Sequence, residues 1–177
     1  MTPVIEWRHL TKTPIPIHGG VVSTCFTTHQ DWLFCVLING GEAFQRCRVE
    51  MWCYNIQLNR WWRGCIIPWD GRIRRGSTLS YLNGKLYLIG GLQGEWGDWE
   101  DYTRTTTASS KVFVMTPKMD ERGQFISCDV AEGPELLLAR GCHTATVLGS
   151  KIVVLGGHGG WNDEEDTLNL ILYGEVR

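Results

Sequence analysis

No run of about 18 or more apolar residues occurs in this sequence, so nothing in it reads as a membrane-crossing helix. Residues 1–10 carry charge and lack the apolar stretch of a secretory signal. Neither sign of charge dominates. The 17 Lys and Arg against 19 Asp and Glu leave −2, which argues against the basic surface that nucleic acid demands. Metal and nucleotide motifs are also missing. The five histidines show no HExxH or HxxxH spacing, the seven cysteines show no CxxC, and no Walker, Rossmann or nucleophile-elbow pattern is found. An odd cysteine count inside apolar runs argues against a disulfide framework. It points to buried thiols in a reducing, cytoplasmic setting. A sustained apolar period of about 3.6 is absent too, which leaves out helices and points to an all-β chain.

What is present is glycine, tryptophan and repetition. The 21 Gly and 9 Trp suit many short elements joined by tight turns. Residues 80–91 (SYLNGKLYLIGG) align without a gap on residues 146–157 (TVLGSKIVVLGG) at an offset of 66. Each is an apolar run, a two-residue turn, a second apolar run and a Gly pair. A looser copy covers residues 26–41, with its polar break at Gln30-Asp31 and a second run three residues longer, which predicts a β-bulge. Each Gly pair is followed by a loop and another β-rich run, at 49–54, 111–115 and 167–173. Fourth segments follow at 61–67 and 124–130. Four short strands per unit with turns between them describe a propeller blade.

The chain resembles the kelch repeat: an apolar run, Gly-Gly, an aromatic-rich strand ending in Tyr, then Trp. The marks are Gly40-Gly41, Tyr54 and Trp62 in the first copy, Gly90-Gly91 in the second and Gly156-Gly157 in the third. Arg75 and Arg140 occupy the slot before the first strand. Phe125 stands where the second copy should have Trp. The resemblance implies an all-β fold of four-stranded antiparallel kelch-type propeller blades, about three of them, in an incomplete ring. One domain, 1–177, divides into a blade remnant at 1–19 and blades at 20–69, 70–130 and 131–177. Paired glycines allow positive φ and close backbone approach between blades. The aromatics supply contact area, and the arginines reach a neighbouring blade's carbonyls or carboxylates.

With strands A to D alternating in direction, B–C loops and D–A connections emerge on one side, and A–B and C–D turns on the other. The long loops share the first side. One carries Glu95, Trp96, Asp98, Trp99 and Tyr102, and another Trp161 and Asp163. The D–A connection on that side carries Arg72, Arg74 and Arg75. Together with Arg140 these are the expected partner-binding residues, since Trp and Arg anchor interface hot spots. In kelch propellers this face often holds a protein or peptide, so the resemblance implies a protein-interaction module.

No catalytic residue, metal or cofactor is assigned. Asp163 and Asp166 could pair as acid and base, so a propeller enzyme of the sugar-processing or oxidase type is the alternative class. His143 is expected to be hydrogen-bonded and structural. Counting a lone D strand at residues 4–10, two full sets and an A–B–C set, the sequence holds three blades' worth of strands, too few to close a ring. It is expected to belong to a longer propeller chain, to form an open arc capped by another protein, or to pair head to tail with a second copy. In that architectural alternative a homodimer completes a six-bladed ring.

Overall fold

The structure is a computed structural model, and it describes Thr11 and residues 21–40, 47–68, 73–94, 107–159 and 172–174. Among these residues the chain is strand and turn throughout, with no helix. Blade 1 is a four-stranded sheet of β1 (Val21–His29), β2 (Trp32–Gly40), β3 (Cys47–Asn55) and β4 (Arg60–Ile66), paired in chain order. Blade 2 is built the same way from β6 (Thr78–Leu82), β7 (Lys85–Ile89), β10 (Val112–Met119) and β11 (Phe125–Glu132). Blade 3 shows β12 (Thr144–Leu148), β13 (Lys151–Leu155) and β14 (Leu172–Gly174). Every neighbouring pair is antiparallel.

The hairpin turns explain why the chain reverses where it does. Asn83 and Gly84 both take positive φ (50° and 79°), which matches the right-handed twist of the strands they join. The bulge expected in the longer second run of the first copy is corrected. Its extra length goes into longer regular strands, β1, β2 and β3 being nine residues each, and the irregularity lies instead on β1 between Val21 and Ser23. The longer run itself, β2, pairs with β3 without a slip. The expected strand at residues 4–10 lies outside the described residues, as do Gly41 and all but the end of the run at 167–173.

Successive side chains along a strand point to opposite faces, and blade 2, with apolar residues on both, packs against blade 1 on one side and blade 3 on the other. Between blades 1 and 2, Trp32, Phe34, Val36 and Met51 meet Leu79, Leu86, Leu88, Phe113 and Met115. Between blades 2 and 3, Leu82, Tyr87, Ile89 and Val112 meet Ile152 and Val154. The first strands lie side by side, β1 on β6 and β6 on β12, and the outer strands β4 and β11 also touch. His29 stacks on Tyr81 across the first of these junctions at 4.0 Å.

The repeat marks act inside this stack. Tyr54 is fully buried, with its hydroxyl donating to Asn59 Oδ1 in the turn that follows. Trp62 tilts against Trp32 at 5.3 Å and carries the Arg60 guanidinium over its ring. None of the described cysteines forms a disulfide. Cys35, Cys53 and Cys65 are buried and Cys25 and Cys128 half-buried, but Cys142 is exposed. The expectation of uniformly buried thiols is corrected there, because Cys142 sits at positive φ in the turn leading into β12 rather than on a strand.

Candidate functional site

Three short strands outside the blades organise the long-loop side. β5 (Ile73–Arg75) lies in the D–A connection before blade 2, β8 (Leu92–Gly94) begins the B–C loop, and β9 (Thr107–Ala108) ends it. They pair antiparallel as β5-β8-β9, with Arg75 opposite Leu92 and Leu92 opposite Ala108. Two chain segments expected only to share a side are therefore hydrogen-bonded into one platform. Both roots of the loop at 95–106 are held on it. At an offset of 66, the Arg75–Leu92 pair becomes Gly141 and His158, and those two residues form a backbone bridge in blade 3. Ala108 N donates to Gly159 O at 2.8 Å, which joins the platform of blade 2 to the start of the next B–C loop.

Beneath the platform, backbone groups tie the blades together. Gly91 N donates to Arg140 O at 2.8 Å and Cys142 N to Gly76 O at 2.9 Å. Thr78 Oγ1 and His143 Nε2 lie 2.9 Å apart across the same junction, both side chains being largely shielded from water. Gly90 is required here on two counts. Its φ is +54°, and a Cβ would stand 2.5 Å from Arg140 O and 2.8 Å from His143 Cε1.

Arg74 and Arg75 lie on β5 of the platform. Arg72, Glu95, Trp96, Asp98, Trp99, Tyr102, Trp161 and Asp163 lie outside the described residues. Arg140 is a correction to its expected place on a partner surface. It is 4% exposed, and its Nη1 donates to Gly156 O, the Gly pair of its own blade. A guanidinium so held braces the turn of blade 3 and presents no surface to a ligand. Its counterpart at the offset of 66 is Arg74, one residue before the one expected from spacing. Among the described residues no group of three His, Cys, Asp or Glu gathers as metal ligands, and no helix is long and apolar enough to cross a membrane.

Sequence reading missed the platform strands, which are two or three residues long and too short to show alternation. It also missed Cys65 and Cys128, whose sulfurs meet at 3.4 Å between blades 1 and 2. Their common position on the fourth strand of successive repeats was the available signal.

These sheets, stacked face to face with their first strands side by side, are blades of a β-propeller. The fold matches the solved structure of YjhT, a kelch-type propeller, with a TM-score of 0.56 and 18% identity, over 85% of this chain and 37% of that one. Kelch-like protein 24 from Rattus norvegicus, Homo sapiens and Mus musculus is 31% identical over 90 residues. That match takes in 51% of this chain and 13% of the relatives' own length. No family model matches. The fold is that of propeller blades, and Tyr54, Trp62, Gly90-Gly91 and Gly156-Gly157 on these blades are the residues that carry the chain's similarity to the kelch repeat.

Proposed function

We propose that the chain is a protein-binding module that engages its partner through the long-loop side, without turnover. The observation that carries this is the β5-β8-β9 platform, which fixes both roots of the loop bearing Glu95, Trp96, Asp98, Trp99 and Tyr102. A loop with anchored ends loses less freedom on binding than one that must be ordered from both sides. Aromatic and charged residues on such a loop are the chemistry of an interface hot spot. Arg74 and Arg75 lie on the adjoining strand, and Trp161 and Asp163 follow the bridge at His158. The kelch resemblance adds the expectation of a protein or peptide on this side. The double variant Trp96→Ala, Trp99→Ala should weaken partner capture at least tenfold, about 2 kcal/mol for a buried interface Trp, and leave the melting temperature in place. Unchanged recovery of the partner by the folded double variant would overturn the assignment.

A second reading, architectural assembly, is favoured by a separate observation. Residues that seat one blade on the next within the chain have counterparts at its two end faces, and those counterparts are open. Leu82 and Ile89 of blade 2 are 5% and 3% exposed against blade 3, whereas Leu148 and Leu155, offset by 66, are 66% and 38% exposed. Leu79 is 6% exposed against blade 1, and Phe26, at the same distance before its turn, is 68% exposed. The open face of blade 3 suits the open face of blade 1 from a second copy, in a head-to-tail contact. Light scattering should then give about twice 20.1 kDa, reverting to the single mass in Leu148→Glu. A monomer at every concentration, with a cooperative melt, counts against it.

A further inference from the structure

Cys65 stands on β4 and Cys128 on β11, and the outer strands of blades 1 and 2 bring their Sγ atoms to 3.4 Å. Cys65 belongs to the core between the blades, and Cys128 packs against that core from a strand whose other residues are mostly exposed. The Cys128 thiol also lies 3.4 Å from its neighbour's carbonyl, Asp129 O. The other well-buried thiols are placed differently. Cys35 donates to Trp52 O and Cys53 to Trp62 O, and burial pushes them up to about 11 and about 12. Both are therefore poor nucleophiles near neutral pH.

We propose that Cys65 and Cys128 form an oxidation site, a thiol pair that a hydroperoxide converts to a disulfide joining the outer strands of blades 1 and 2. The sulfurs need to close by little more than an ångström to reach bonding distance. Cys65 is the attacking thiolate, since the hydrogen bond it shares with Cys128 holds it below the usual range. The same bond, with burial, pushes Cys128 up. In the first step the Cys65 thiolate attacks a peroxide oxygen. An S–O bond forms, the O–O bond breaks, and hydroxide (or alkoxide) leaves, giving a sulfenic acid. Cys128 sulfur then attacks Cys65 sulfur. The S–S bond forms, the S–O bond breaks, and water departs with the Cys128 proton. The two sulfurs together lose two electrons, and the peroxide gains them. In a reducing compartment such a bond is transient and reversed by thiols.

The test uses the intact chain and hydrogen peroxide, followed by alkylation and peptide mapping. The expected product is one species with Cys65 linked to Cys128, lighter by two hydrogens, whose melting temperature rises and returns on treatment with dithiothreitol. Cys35 and Cys53 should remain alkylatable after denaturation. In Cys128→Ser the link should vanish and Cys65 should be captured as the sulfenic acid by dimedone. The proposal is overturned if both residues remain thiols while exposed Cys142 is oxidised, or if the wild-type chain links either of them elsewhere.

Discussion

Replacing Gly90 by alanine and, separately, Gly156 by alanine uses the repeat as its own control. The two residues are equivalent at the offset of 66, and their φ values, +54° and +67°, are close. Each alanine therefore costs about 1 kcal/mol for holding a Cβ in the left-handed region. The surroundings differ. At Gly90 the new Cβ lands 2.5 Å from Arg140 O and 2.8 Å from His143 Cε1, whereas at Gly156 nothing stands within 4 Å. The oxygen that must retreat accepts the Gly91 N–H bond at 2.8 Å, and weakening it adds about 1 kcal/mol. Overpacking a close contact adds roughly 1–3 kcal/mol more. Gly90→Ala should thus lose about 3–5 kcal/mol and Gly156→Ala about 1 kcal/mol. Urea unfolding followed by tryptophan fluorescence measures both, at a concentration where light scattering reads a monomer. Equal losses, or a larger loss at Gly156, would refute the account of how blade 3 closes on blade 2.

Phe34→Ala, which empties a fully buried site between blades 1 and 2, should cost about 3–5 kcal/mol in the same assay; a loss under about 1 would place that core elsewhere. Stability should also fall at high pH. The Cys35 and Cys53 thiols are raised in the fold from 9.0 to about 11 and about 12, so the unfolded chain ionises first. The contribution is whole below pH 9 and drains away as pH rises through 11–12. A urea midpoint that is flat from pH 8 to 11 in both the parent and a Cys53→Ala variant would contradict this.

The blades were legible because their signals are local. Asn83-Gly84 is a hairpin turn by chemistry alone, and runs such as LYLI and VEMWCY alternate or enrich as strands do. The offset of 66 then carried each assignment to the next copy. Contacts across long separations were not legible. β5 and β8 are three-residue strands whose pairing depends on where two blades have already placed them. The depth of Arg140 depends on the Gly156 carbonyl lying within its reach, a fact of the folded turn. The bulge expected in the longer second run was misjudged, because extra residues can also lengthen a ladder, and β2 runs unbroken against a nine-residue β3. Of the loop face, the sequence carries the aromatic and acidic content of residues 95–102, and the fold supplies the anchored roots.

The ties Gly91 N to Arg140 O and Cys142 N to Gly76 O are made by main chain to main chain, and main chain has no residue identity. Gly76 and Cys142 are themselves equivalent positions, so one blade's point of attachment is the next blade's template. A further blade added at the offset of 66 would bring its ties into register with these only if the Gly76 and Gly90 positions both stay bare, since a Cβ at Gly76 would stand 2.5 Å from Cys142 N and one at Gly90 2.5 Å from Arg140 O. Lengthening of this chain by whole blades is therefore limited by missing Cβ atoms at the junction, those of Gly76 and Gly90 among them, while the side chains of the loop face stay free to diverge.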